Sequence, residues 1–524
     1  MGSSPRPSSS ARLASSERVR EALGRAVAAE LPRLLPRQRW FGGKGRVIAA
    51  VVAADWAQLG ERAWLGLVDV AFDHGAGERY LVAVVLRDDA PPPDALSLAL
   101  DVDGALVHAA DAFDDPGFCL ALLEAFGRGT SVPSARGLLR FVTSDHVAPL
   151  GPPAALSPRR LGGEQSNTSV VYGDRFILKA LRRIEPGVSL DYELGAFLTS
   201  RVGFSHVPPV VGAIEYVPVA GPTTTLAVLQ GYVPNRGDGW TRILEHLGGL
   251  RDLAVKRAQH EPIDASRLDA IVRTSAASML GALRRLGAVT GGLHNALASD
   301  AADPAFAPDP ITVEDTATWA ERIAADLGRT CDILRKRLPA LPEAVQRQAG
   351  VVLTGEAAFR ASLDGLQTLA ADGCRKIRIH GDYHLGQTLT IDDGFVILDF
   401  EGEPARPLAE RRRKHSALVD VAGMLRSFDY AAATAFGSAA EFAVAGDAWR
   451  QLAAGAFLDE YVDVVAQAPV RLLPASRLAL ARALAVFELD KALYEIRYEI
   501  DHRPAWVDVP LRGLPRLWAQ GLVR

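Results

Sequence analysis

Cysteine is scarce in this chain, with three residues in 524, Cys119, Cys331 and Cys374, and no CxxC pair among them. That spacing excludes a disulfide framework and a cysteine-rich zinc site, and it suits a reducing cytosol. Long apolar runs are missing too: none approaches the roughly 18 residues that mark a membrane span. Neither sign of charge dominates. Lys plus Arg total 58 against 62 Asp plus Glu, a net charge of −4, so no overall basic field is available to hold nucleic acid or an anionic membrane. The opening MGSSPRPSSSARLASS lacks the apolar core of a signal peptide and reads as a loose polar tail or a cloning remnant. These absences predict a cytoplasmic protein. What is present is ordinary for a globular chain: 48% apolar and 23% charged residues, enough to bury sizeable cores over about two to four domains.

An amphipathic helix is expected from Glu17 to Leu31, with Val19, Leu23, Val27 and Leu31 on one face and Pro32 and Pro36 ending it. The runs VIAAVVAADW, AWLGLVDVAF and RYLVAVVL read as strands. The tail 1–16 is thus followed by a small α+β unit over 17–145. The Pro/Gly-rich joint VAPLGPPAALSP opens a second unit, 146–236, holding the strands SVVYG and RFILKAL, a helix from about Leu190 to Arg201, and strands around AIEYV and TLAVLQGYV. The remainder, 237–524, reads as mostly helical, with a short β insert between Lys376 and Phe400. No internal repeat is found.

The strongest chemical signal is RIHGDYHLGQTLTIDDGFVILDFEGEP. Two short apolar strands around a polar turn predict a hairpin, with Asp382 and Gln387 before it and Asp399 at its end. Phosphoryl transfer from a nucleotide needs a carboxylate to orient the attacking hydroxyl and hard oxygen ligands for magnesium. Asp382 suits the first role; Gln387 and Asp399 suit the second. His380 and His384 are read as bracing the loop. The bland alternative, one Asp capping a turn and another closing a hairpin, is outweighed by an upstream half in the matching order. There GGEQSNTSVVYG offers a turn from Gln165 through Ser166 and Asn167 to Ser169 whose N–H groups can cover phosphates. Lys179 follows on the next strand to pair with phosphates, and Glu193 is suitably spaced to hold it. The link from Gln230 past Tyr232 to Asn235 is the expected hinge, whose backbone can read adenine.

Two tempting features are refused. GGKGR at Gly42–Arg46 lacks the Ser or Thr and the glycine spacing of a phosphate loop, and ERRRK at Glu410–Lys414 is read as a solvated charged loop. On a helix from about Phe487 to Ile500, Lys491, Tyr494 and Tyr498 share one face with Glu495 beside them, a set suited to a polyhydroxylated ligand. Trp506 beyond it could serve as a stacking platform. On this stretch alone, tyrosines packed for structure outweigh that reading.

The strings LPRQRWFGGKGR, GGEQSNTSVVYG, VPNRGDGW, HGDYHLGQTL, ILDFEGEPARPLAERRRKHSALVDVAGMLRSFDYA and ELDKALYEIRYE together closely resemble the actinobacterial maltokinases. The resemblance covers nearly all of the chain beyond the first sixteen residues. It implies an α+β, two-lobed protein-kinase-like fold with an N-terminal cap subdomain and a mostly helical C-lobe. It further implies transfer of the ATP γ-phosphate to the anomeric hydroxyl of maltose, giving maltose 1-phosphate for α-glucan and glycogen synthesis. By the same resemblance Asp382 is the catalytic base and Gln387 and Asp399 are the Mg2+ ligands. Lys179 is the phosphate lysine with Glu193 as its partner, and Lys491, Tyr494 and Tyr498 lie in the sugar site. Association with a trehalose-isomerising enzyme is an expectation of family behaviour. Two departures stand out: Gly231 where an acidic residue is expected, and Gly291 with Gly292 where larger residues are usual. The first matters little if backbone groups hold the adenine, and only local packing changes are expected from the second. The alternatives carried forward are a glucosamine, aminoglycoside or other sugar kinase on the same scaffold, and a catalytically inactive kinase-like binding module. Nothing in the cap's composition assigns it a role.

Overall fold

The computed structural model describes residues 15–90, 96–144, 156–162, 166–258, 265–404, 406–437 and 440–521. The chain divides into two compact units, Met1–Ala196 with Pro209–Val233, and Phe197–Pro208 with Pro234–Arg524.

In the first unit, α1 (Ser16–Leu34) buries Val19, Leu23, Val27 and Leu31, the predicted face. It does not stop at Pro32. The helix absorbs that proline in its last turn, forgoing one i→i−4 bond, while Leu31 and Leu35 stay buried. Next come β1 (Ile48–Leu59), β2 (Ala63–Phe72), β3 (Glu78–Arg87), β4 (Ser97–Val102) and β5 (Ala105–Asp111), an antiparallel sheet in the order β1-β2-β3-β5-β4. After α2 (Pro116–Arg128), a second sheet takes β6 (Ser131–Pro133), β7 (Gly137–Thr143), β8 (Pro158–Arg160), β9 (Asn167–Tyr172) and β10 (Phe176–Leu181). The two-residue β11 (Arg183–Ile184) pairs with β3 of the first sheet. Helix α3 (Leu190–Ala196), β12 (Val210–Pro218) and β13 (Thr224–Gly231) complete the unit, and the second sheet runs β6-β7-β12-β13-β10-β9-β8.

Asp55 stitches the two sheets together. From β1 its buried carboxylate accepts from Ser134 Oγ (2.5 Å), the N–H groups of Ala135 and Arg136, and Tyr216 Oη (2.9 Å). The refused GGKGR segment serves packing: a Cβ at Gly43 would lie 2.7 Å from Phe41 and Phe72, and the Arg46 guanidinium sits 3.6 Å from the Phe72 ring centre.

The helix expected from Leu190 to Arg201 is α-helical only to Ala196; Phe197–Val202 is wound as a π-helix. The segment Phe197–Pro208, expected within 146–236, groups with the second unit. There Phe197 stacks on Phe306 (3.7 Å, 5°), Arg201 pairs with Asp300 and Asp303, and His206 Nδ1 lies 2.9 Å from Phe395 O.

The second unit is largely helical. It contains α4 (Gly239–Ala258), α5 (Ala265–Ser275), α6 (Ala277–Leu297), the short pair β14 (Asp309–Pro310) and β15 (Arg375–Lys376), and between those strands α7 (Val313–Arg337), α8 (Glu343–Thr354), α9 (Glu356–Ser362) and α10 (Gln367–Ala371). The predicted hairpin follows as β16 (Thr388–Ile391) and β17 (Gly394–Ile397), then α11 (Leu408–Arg411), α12 (Leu418–Phe436), α13 (Ala440–Val465), α14 (Arg477–His502) and α15 (Asp508–Gly521). The glycines that depart from the resemblance have packing reasons. A Cβ at Gly291 would meet Val464 at 2.9 Å and one at Gly287, a turn earlier, would run into Phe457 O, so α6 lies close against α13. A Cβ at Gly231 would sit 2.6 Å from Pro209.

Candidate functional site

In the first unit, Lys179 lies on β10 between Ser169 of β9 and Val228 of β13. Its ammonium is 3.5 Å from Asp191 Oδ2 on α3, a carboxylate only 1% exposed. The sequence named Glu193 as this lysine's partner; Glu193 lies half-buried two residues on, and the structure adds Asp191. An acidic residue twelve positions after a strand lysine, at a helix start, was a signal open to reading. Of the expected phosphate turn, Ser166 is exposed and Asn167 begins β9, while Gln165 lies outside the described residues. Gln230 pairs with Ile177, and the N–H groups of Gly231 and Tyr232 donate to Pro209 O and Arg175 O (both 2.8 Å). The Tyr232 N–H is therefore already engaged within the unit.

The cap region grips this half. Arg182, fully buried just past β10, donates to Asp111 Oδ2 (2.7 Å) and Thr168 Oγ1 (2.8 Å). Its guanidinium lies 4.8 Å from Trp40 and 4.7 Å from Phe113. Arg39 donates to the carbonyl of Gly162 (3.1 Å).

In the second unit, the loop HGDYHLGQ is held from below by α12. Asp420 accepts from the N–H groups of His380 and Gly381 (2.8 Å each) and faces His294 Nε2 at 3.1 Å, while His294 Nδ1 meets Tyr461 Oη at 2.9 Å. Burial pushes the Asp420 carboxyl up, but His294 and the loop N–H groups outweigh it and hold the group below its ordinary value. Three residues on, Gly423 lies so close to the loop that a Cβ would be 2.5 Å from Tyr383 O. His380 braces as expected: Nε2 reaches Leu398 O (2.8 Å) and Nδ1 accepts from Asp382 N (3.4 Å). His384 Nδ1 accepts from Gly386 N (3.1 Å), and burial holds its imidazole toward the neutral form.

The loop so held presents Asp382, whose Oδ1 accepts from Lys491 Nζ at 3.0 Å. Burial raises the carboxyl, yet the ammonium prevails and Asp382 stays below its usual range. Gln387 and Asp399 are brought together across the hairpin, with Gln387 Nε2 donating to Asp399 Oδ2 (3.2 Å). Asp399 holds a left-handed backbone (φ 65°), a conformation that gathers at functional sites. Glu401, which the sequence reading passed over, has a carboxylate oxygen within 4.8 Å of one on Asp399. Two carboxylates and an amide that can turn its oxygen inward are donors of the kind magnesium takes, so the set fits. The ERRRK run is not simply solvated: Arg411 donates to Glu401 O (2.5 Å), and Lys414 donates to Pro304 O and Ala307 O and pairs with Asp309.

On α14, the Lys491 ammonium is 5.3 Å from the Tyr494 ring and Tyr494 is followed by Tyr498 (6.2 Å) and His502 (4.5 Å further). The predicted stripe exists. Glu495 is not part of it: it turns inward and accepts both Nε and Nη2 of the buried Arg426 (3.0 and 2.7 Å). Trp506 is flanked by the Arg503 guanidinium at 5.7 Å.

Residues 34–115 match the maltokinase N-terminal cap domain. Over 406 residues the chain is 28% identical to a glucosamine kinase of Streptacidiphilus jiangxiensis, covering 76% of this chain and 81% of that protein. Over 464 residues it is 28% identical to a glucosamine kinase of Mycolicibacterium smegmatis, covering 86% and 98%. A solved glucosamine kinase in complex with glucosamine, ADP and inorganic phosphate superposes with a TM-score of 0.63 at 25% identity, covering 94% of this chain and 98% of that one. Among the described residues no helix is long and apolar enough to cross a membrane. The chain has the α+β kinase-like fold of these glucosamine kinases, and at its N-terminal end it carries a maltokinase cap domain.

Proposed function

We propose that this chain is an ATP-dependent sugar kinase that phosphorylates the anomeric hydroxyl of maltose, giving maltose 1-phosphate for α-glucan synthesis. The observation that carries the kinase reading is the Asp382 loop: a carboxylate held below its ordinary range, on a loop pinned by Asp420, next to an oxygen-rich set after a hairpin. In this reading Asp382 orients the acceptor hydroxyl and takes its proton as the γ-phosphoryl group leaves ADP. Gln387, Asp399 and Glu401 would hold magnesium, which when bound neutralises charge on the phosphates. Lys179, kept extended by β10 and faced by Asp191, pairs with nucleotide phosphates, and Tyr232 offers its carbonyl to adenine. Lys491, Tyr494 and Tyr498 flank the sugar. Positioning and charge neutralisation are what such residues supply, since phosphoryl transfer asks little covalent chemistry of the protein.

Maltose is favoured by the match of residues 34–115 to the maltokinase N-terminal cap domain. Glucosamine is the second reading, favoured by the glucosamine kinases that align along most of the chain. ADP release with Mg-ATP and maltose, glucose, glucosamine or no sugar separates these. Turnover on glucosamine alone would overturn the maltose assignment, and silence on all sugars would point to a binding module. With the sugar that is turned over, Asp382→Asn is expected to lower kcat by about 10²–10⁴-fold with an unchanged melting temperature; near-wild-type turnover would remove Asp382 from the role of base.

A further inference from the structure

We propose that Lys491 is a catalytic residue, its ammonium bridging Asp382 and the oxygen to which the phosphoryl group is transferred, rather than a sugar-recognition contact alone. The inference rests on the kinase reading and deepens it.

The loop that carries Asp382, His380 to Gln387, contains no lysine or arginine. Its histidines are committed to bracing, and burial keeps His384 toward neutrality. Phosphoryl transfer nonetheless builds negative charge beside the base, and a preorganised cation there is worth far more in a water-poor site than in bulk solvent. Lys491 supplies a permanent charge at that point, 3.0 Å from Asp382 Oδ1. Its side chain is 27% accessible, so it is only partly withdrawn from solvent. An ammonium has three N–H donors. One goes to Asp382, the ammonium also lies over the Tyr494 ring, and among the described residues no second hydrogen-bond acceptor engages it.

A neutral polyol does not call for a cation at its reacting end. A hydroxyl that is losing its proton to the neighbouring carboxylate does. With Oδ1 bound to Lys491, Asp382 keeps Oδ2 for the acceptor hydroxyl, which then lies within reach of the same ammonium. In the step, the acceptor oxygen forms its bond to Pγ, the bond from Pγ to the β–γ bridging oxygen breaks, and ADP departs with that electron pair. The hydroxyl proton passes to Asp382, and Lys491 keeps its own protons throughout. Glu403 and Glu495 nearby, together with Asp382, favour the charged form of Lys491 against its burial.

The test is steady-state kinetics across pH for wild type, Lys491→Met and Lys491→Arg, with the sugar the wild type turns over, alongside ADP binding by calorimetry. Lys491→Met is expected to lower kcat by about 10²–10³-fold, leave the sugar KM within about threefold, leave ADP affinity unchanged, and move the acidic limb of the profile upward as Asp382 loses its cation. Lys491→Arg keeps the charge and is expected to restore at least about tenfold of the lost kcat, though its planar fork fits less well. An unchanged kcat with a raised sugar KM in Lys491→Met would overturn the inference and return the residue to sugar binding. If Lys491→Met does not fold, Lys491→Arg decides by the same split: a lowered kcat at constant KM supports the bridge, and a raised KM at constant kcat overturns it. A wild type that turns over no sugar fails the kinase reading itself, and the inference falls with it.

Discussion

Glu488 sits on α14 with 5% of its surface exposed, among Arg426, Asp429, Arg450 and Glu495. Burial, reinforced by Asp429, pushes its carboxyl up to about 7 from an ordinary value of 4.5. The folded protein thus binds this proton more tightly than the unfolded chain does. The penalty is absent below about 4.5, grows as pH rises, and is complete above about 7. Glu488→Gln removes it: near-equal stability to wild type is expected at pH 4 and a gain of up to about 3 kcal/mol at pH 8, read by urea denaturation at both pH values. A constant difference between the two pH values would show that the carboxyl does not titrate in this range. Nothing in the string FELDKAL marks Glu488 as different from Asp490, which pairs with Arg322 nearer the surface. Both read as polar positions on a helix, and only the packing of α12 against α14 separates them.

At the scale of elements, α12 does two jobs three residues apart. Asp420 and Gly423 share a helix face; the first holds the loop N–H groups and the second lets the helix approach the loop. Gly423→Ala puts a methyl group against Tyr383 O, and overpacking of this kind costs about 1–3 kcal/mol. Because Asp382 follows the same backbone, kcat is expected to fall about 10–100-fold, measured by ADP release together with thermal unfolding. A variant with lowered stability and normal kcat would mean that the loop tolerates the shift. The hairpin β16–β17 and the helix α14 were legible from period and turn residues. The π-wound Phe197–Val202 was not, because its winding follows from the stacking of Phe197 on Phe306 and the pairing of Arg201, contacts with residues about a hundred positions away.

At the scale of the whole molecule, the contact between the cap region and the second sheet centres on Arg182. This buried guanidinium joins Thr168 of β9 to Asp111 of β5, and it lies between Trp40 and Phe113. Together with Arg39 on Gly162 O, it ties β9 and the Lys179 strand to the first sheet. Arg182→Met leaves Asp111 short of its nearest cation, and removing one partner of a buried pair costs about 3–5 kcal/mol. A folded variant is expected to show a raised KM for ATP with an unchanged KM for sugar, measured by ADP release at varied concentrations of each. Equal changes in both would speak against a role of the cap in nucleotide binding.

The sequence by itself determined the local settings of the candidate groups: Asp382 in its loop, Gln387 and Asp399 on either side of a hairpin, Lys179 on a strand, and the Lys491–Tyr494–Tyr498 face of a helix. These follow from spacing and periodicity, which act over a few residues. Tertiary structure decided which groups meet. Lys491 reaches Asp382 across 109 positions, Asp420 reaches the loop across 40, and Glu495 leaves the expected stripe to pair with Arg426 across 69. Such pairings depend on which helix faces are buried together, and burial of a charge forces it to find a partner wherever the fold provides one.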